Sequence, residues 1–311
     1  MTGARGSETA PSGVRTTVME RIEFGGWPNC LRLANDEIEL VATTDVGPRI
    51  IRLAFIGGRN LFKTFDATLG LSGGSEWRIY GGHRLWHAPE VYPRTYAPDN
   101  GPVGHEWDGE TLTLRALERE NGLEKAIVLT LDRSAPRVMV RHRITNRGPW
   151  AVELAPWSIS VMAPGGRAIL PHAEYRPHPD SLNPAGPLVL WYYTDMSDSR
   201  WNWGRRYIQL RQDPAATSAQ KVGFLNTKGW AAYVLEGDAF VTRFPYIPDA
   251  RYPDYGCNIQ TFTNSEMLEM ETLGPLSRIE PGGFVDHDEI WELRRGVVTD
   301  SEEDIDALIT G

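Results

Sequence analysis

The sequence is poor in cysteine, in basic charge and in long apolar runs, and each shortage removes a class of protein. Only Cys30 and Cys257 occur in 311 residues, far apart and without CxxC spacing. That pattern fits neither a disulfide framework nor a thiolate zinc site, and it leads to an expectation of free thiols in a reducing cytoplasm. The formal net charge is −9, which opposes nucleic acid as a partner, because such binders draw affinity from clustered Lys and Arg. No stretch approaches the ~20 consecutive apolar residues of a membrane-spanning helix, so no membrane partner is expected. Also missing is any short-period repeat, which disfavours a propeller and a solenoid.

What remains is an ordinary globular mixture, 41% hydrophobic and 23% charged. Residues 1–16, rich in Gly, Ser, Thr and Pro, read as a disordered tail, and 17–311 as one domain without a linker. From Arg21 onward, short runs rich in Val, Ile, Leu, Thr and aromatics recur between Gly, Pro, Asn and Asp. Examples are 37–43, 50–55, 110–117, 125–132, 137–145, 151–162 and, later, 205–211, 230–235, 258–263, 266–273 and 284–293. Most alternate with period two, which predicts an all-β protein built as a large antiparallel sandwich. One helix is expected, capped by Asp300 or Ser301 and carrying Ile305, Leu308 and Ile309.

The densest chemistry lies in Glu76–Glu90, which holds two His, two Arg, two Trp, a Tyr and two Glu in fifteen residues. Aromatic rings offer the C–H face of a pyranose a flat platform, while Arg, His and Glu hydrogen-bond hydroxyls or move protons. A small-molecule carbohydrate is therefore the expected partner. Its candidate binding residues here are Arg78, Arg84, Trp86, His87 and Glu90, and Gly81-Gly82 would let backbone approach a ligand or turn tightly. His83, His87 and Glu90 have a spacing a metal would accept on a helix, but the flanking glycines and Pro89 oppose a helix. No metal and no cofactor are expected. A structural plug with a solvated loop is the competing reading.

On a strand, Glu269 and Glu271 share a face with Met267, while Leu268, Met270 and Thr272 share the other. Adjacent carboxylates raise one another's pKa, so one of them suits general acid–base work; a solvated outer face is the alternative. Arg49, after the Asp45–Pro48 turn, could clamp a hydroxyl or carboxylate, or simply form an ion pair. The aromatics of 191–193 and 200–206 suit a sugar or a protein partner equally, and the Pro-rich 244–256 would form a wall.

These residues resemble the galactose-mutarotase-like superfamily, which includes aldose 1-epimerases and hexose-6-phosphate mutarotases. Gly81-Gly82 through Pro89 is similar to a Gly-Gly, Trp and Pro segment of the hexose-phosphate branch, and Thr145-Asn146-Arg147-Gly148 to the family's Thr-Asn-x-Gly turn. Glu269-Met270-Glu271-Thr272 resembles the strand bearing the catalytic glutamate, and Pro281-Gly282-Gly283 with 289–293 the closing turn and last strand. The resemblance implies Glu271 as the base for the anomeric hydroxyl, and His83 or His105 as the acid for the ring oxygen. It implies an aldose 1-epimerase-like enzyme, with a non-catalytic carbohydrate-binding module or another sugar-directed reaction, lyase or hydrolase, as alternatives. The chain departs from the pattern on the strand after the turn, where the family has histidine and Leu154–Val161 has none. That departure marks a side branch.

Overall fold

Period-two alternation becomes twenty-one strands in the computed structural model, which describes residues 17–310. The tail expected over 1–16 lies outside the described residues. One sheet runs in the order β1 (Val18–Phe24), β2 (Trp27–Ala34), β3 (Ile38–Thr43), β4 (Arg49–Phe55), β5 (His83–Ala88), β10 (Val152–Met162), β19 (Leu268–Leu273), β18 (Ile259–Thr263), β15 (Gln220–Phe224), β12 (Leu188–Leu190). The short β20 (Ser277–Ile279) also pairs with β10. The second sheet runs β13 (Trp201–Trp203), β14 (Tyr207–Arg211), β11 (Arg167–Pro171), β16 (Trp230–Leu235), β17 (Asp238–Arg243), β21 (Phe284–Arg294), β9 (Arg137–Asn146), β8 (Leu123–Leu131), β7 (Thr111–Glu118), β6 (Gly104–Trp107). The pairings are antiparallel, as the alternating patterns require for sheets with one face buried.

The sheets face each other across one core. Leu33, Leu40, Leu53, Leu85 and Met270 from the first sheet meet Leu114, Ile127, Leu129, Val140 and Trp291 from the second, all nearly inaccessible. The expected helix is α1 (Glu302–Thr310), and Ser301 is its cap: Ser301 Oγ accepts from the Asp304 amide at 3.1 Å while Asp304 Oδ2 accepts from the Ser301 amide at 2.9 Å. Ile305 and Leu308 bury against the second sheet.

The Thr-Asn-x-Gly turn and the Pro-Gly-Gly turn pack together. Asn146 Oδ1 accepts from the Gly148 amide, its Nδ2 donates to Trp150 and Ile279 carbonyls, and its backbone pairs with Gly282 and Gly283. Both glycines of Gly81-Gly82 have positive φ, and a Cβ would sit 2.0 Å from the Lys63 carbonyl oxygen at Gly81 and 2.3 Å from that of Ile50 at Gly82. The close approach is to neighbouring backbone, in keeping with the tight turn that the glycine pair allows.

A polar network crosses the core. The His142 Nδ1–H donates to the His287 carbonyl at 2.9 Å, which in a neutral ring leaves Nε2 as acceptor. His83 Nε2 lies 2.7 Å away to donate to it, and Ser160 Oγ, at 2.8 Å, donates to His83 Nδ1. Burial holds the His83 and His142 imidazoles below the ordinary range, in keeping with neutral rings. Glu289 accepts from Ser158 (2.5 Å), Thr272 and Trp291 (2.7 Å). Burial pushes its carboxyl up; a proton on His142, His83 or His287 would pull it down, as the Ser158 bond does.

Donor atoms of His83, His142 and Glu289 lie within 4.8 Å of one another, a grouping that could hold a cation. Two imidazole nitrogens bound to one tetrahedral ion stand about 3.3 Å apart, given bonds of roughly 2.0–2.1 Å. The observed 2.7 Å is a hydrogen bond instead.

Candidate functional site

The outer face of the first sheet gathers the polar and aromatic residues. Antiparallel register places Arg84, Ile159, Glu271, Gln260 and Gly223 on one rung across β5, β10, β19, β18 and β15. The adjacent rung carries Val161, Glu269, Phe262 and Lys221. Two ion pairs cross diagonally between the rungs: Arg84 Nη2 to Glu269 Oε1 at 3.1 Å and Lys221 Nζ to Glu271 Oε2 at 2.9 Å.

Indoles frame the pairs. Trp157 Nε1 donates to Glu271 Oε2 at 3.0 Å, and the Lys221 ammonium lies 5.0 Å from the Trp157 ring and 4.8 Å from that of Trp191. The Arg84 guanidinium sits 4.5 Å over Trp86, which packs edge-on against Trp157, Trp77 and Tyr96. Gly223 has no side chain where a Cβ would meet Cys257 Sγ at 2.8 Å and Gln260 Cγ at 3.0 Å, so Gln260 can lie flat beside Glu271.

Four buried polar atoms on this face have no protein partner: Glu271 Oε1, Gln260 Oε1, Arg84 Nε and Arg84 Nη1. A native interior leaves few such atoms, and this cluster holds both donors and acceptors. Burial pushes the Glu271 carboxyl up to about 7; the Lys221 charge opposes this and Glu269 adds to it, while hydrogen bonds from Lys221 and Trp157 pull it back. A carboxyl near neutrality takes and returns a proton readily. Burial, with the charges of Glu271, Glu90 and Glu269, raises the Tyr193 phenol. Tyr193, 45% exposed and edge-on to Phe262, thus belongs to this site, whereas Glu271 is wholly covered and Glu269 is 8% exposed.

Of the residues chosen from sequence, Glu271, Glu269, Arg84 and Trp86 converge here. Glu90 stands at the rim, where it accepts from the Tyr96 hydroxyl. Arg49 is the cross-strand neighbour of Arg84 but is buried, with Asp99 at 2.6 Å and the Gly81 carbonyl at 2.5 Å. Arg78 donates to the Gly73 carbonyl within its own loop.

The histidines are placed differently from the expectation. His83 and His87 alternate with Arg84 and Trp86, so they point to the inter-sheet side, and His83 is sealed in the core network. It cannot share a ligand with Glu271 across the sheet. His87 is buried with neither ring nitrogen bonded, and burial, then Lys125 and Arg94, lower it to about 2. His105 is exposed on β6, the edge strand of the other sheet.

Trp157, Lys221 and Gln260 were missed because only register brings them to Glu271. Trp157 occupies the strand noted for lacking histidine. Among the looser expectations, Trp191 and Tyr193 reach the site. Trp201 and Trp203 stack at 5.0 Å at the far edge of the other sheet, and Asp254 of the Pro-rich segment accepts from Gln260 Nε2 at 2.6 Å. Two cavities nearby are not lined by Glu271, Gln260 or Lys221: one of about 350 Å³ lies between Trp86 and the Glu118 and Lys125 of the other sheet, another of about 590 Å³ between Trp77, Arg94 and Tyr96.

The two antiparallel sheets have the galactose mutarotase-like fold, as their likeness to solved structures shows. Solved structures similar to it include a galactose mutarotase-like protein from Lactobacillus casei ATCC 334, with a TM-score of 0.54 at 10% identity over 86% of this chain and 100% of that one. A galactose mutarotase-like protein from Clostridium acetobutylicum matches with a TM-score of 0.54 at 9% identity over 90% and 99%. A TPR-domain containing protein from Parabacteroides distasonis ATCC 8503 has a TM-score of 0.59 at 12% identity over 87% of this chain, which spans only 48% of that protein. No protein-family model matches the sequence, and no curated protein matches it. The likeness is one of fold. No described helix is long and apolar enough to cross a membrane.

Proposed function

We propose that the outer face of β5, β10, β19, β18 and β15 binds a sugar ring and that the protein interconverts its anomers, with Glu271 as the base. The observation that carries this reading is the cluster of four unpartnered buried atoms between indole rings. A pyranose supplies hydroxyls that both donate and accept, and a C–H face for Trp86 or Trp157. Glu271 Oε1 takes the anomeric proton while Trp157 and Lys221 hold Oε2. Arg84 and Gln260 fix neighbouring hydroxyls. Because Glu271 is covered, a ring reaches Oε1 only once neighbouring side chains have moved aside.

The test is anomeric exchange measured by saturation-transfer NMR with free aldoses, uronic acids and sugar phosphates. Wild type should exchange at least one of them, and Glu271→Gln should slow exchange by a factor of about 10²–10⁴, the usual worth of a general base. Binding without exchange would favour a carbohydrate-binding module instead. The full burial of Glu271, with Arg84 and Glu269 nearly covered as well, is what supports that second reading. In either case Trp86→Ala should weaken binding about tenfold.

A further inference from the structure

A ring-opening site needs an acid as well as a base, and no histidine reaches this one from the described residues. Lys221 Nζ does stand there, 2.9 Å from Glu271 Oε2, on the neighbouring rung of the same face. Its position is built rather than incidental. The ammonium is buried, lies about 5 Å from each of two indole rings and has a single carboxylate oxygen as its partner. Two indole faces and a carboxylate are the surroundings of a cationic side chain, and an ammonium has three N–H donors, of which Glu271 takes one. Lys221 therefore fits an acid better than a Schiff-base nucleophile.

We propose that Lys221 is the catalytic proton donor to the ring oxygen, the role a histidine would otherwise fill. This rests on the mutarotase reading of the same site. O1 and O5 are bonded to the same carbon, so one sugar can present its anomeric hydroxyl to Glu271 Oε1 and its ring oxygen to Lys221 Nζ. Glu271 takes the O1 proton, the O1–H pair becomes the second bond of the C1=O1 carbonyl, and the C1–O5 bond breaks. The pair released to O5 takes a proton from Lys221, leaving a neutral amine. After rotation about C1–C2 each proton returns, O5–H to the amine and Glu271–H to O1, and nothing is consumed.

Two variants separate this from a structural role. Lys221→Arg keeps the charge and the carboxylate partner but holds its protons too tightly to donate them. Lys221→Met keeps the length and loses the proton. Both should lower kcat for anomeric exchange by at least about 100-fold, with KM within about threefold of wild type. The arginine variant provides the case in which folding is retained, checked by its circular dichroism and by sugar saturation transfer. Full activity in Lys221→Arg would show that charge alone matters and overturn the assignment. So would an active Lys221→Met. If Glu271→Gln abolishes exchange while the Lys221 variants keep it, only the lysine role falls. If wild type exchanges no sugar, the mutarotase reading falls and takes the lysine role with it.

Discussion

His87 shows how much a single buried ring can cost. Neither of its nitrogens is bonded, and burial lowers it from 6.5 to about 2; His287 is lowered to about 4, again mainly by burial. An imidazole whose folded pKa lies below its unfolded value binds fewer protons in the native state. Its contribution is complete above about pH 6.5 and is lost as pH falls toward the folded value. At pH 4.5 His87 alone should have cost about 3 kcal/mol, two pH units below the unfolded pKa. Urea unfolding of wild type and His87→Phe between pH 4.5 and 8 tests this. The variant should show a shallower loss of stability on acidification, and identical slopes would refute the assignment.

At the scale of strands, β5 explains both what was readable and what was misread. Period two in His83-Arg84-Leu85-Trp86-His87 already separates two faces, and Leu85 marks the inner one. Grouping the five by composition instead put His83 and Arg84 in one site, although the backbone sends them to opposite sides. The Glu269/Glu271 alternation was legible for the same reason, with Leu268 and Met270 entering the core as expected. The entry to β5 is rigid. Gly82 has φ +67°, and an added Cβ would press on the Ile50 carbonyl. Gly82→Ala should cost about 2–4 kcal/mol, read as a lower urea midpoint and faster amide exchange at the β4–β5 junction. A silent substitution would mean that the β4 backbone yields.

Across the whole molecule, the sandwich was legible from the number of short alternating runs between turns, whereas the site was legible only in part. Lys221 lies 50 residues before Glu271 and Trp157 lies 114 before it. Their meeting depends on the order β10-β19-β18-β15, which no local pattern encodes. The same is true of the polar joint between sheets, where His83 on β5 meets His142 on β9. That joint is a chain of hydrogen bonds, so a chelator or added Zn²⁺ should leave the melting temperature within about 1 °C. A chelator-induced fall of several degrees would contradict the hydrogen-bond assignment.

The two diagonal ion pairs carry a kinetic consequence. Arg84 with Glu269 and Lys221 with Glu271 cancel, as Arg49 with Asp99 cancels beside them, so the floor exerts little pull beyond contact range. A neutral ligand would arrive by undirected diffusion, at a rate indifferent to ionic strength. An anionic one would have to approach a body of net charge −9 and would associate faster as salt screened that repulsion.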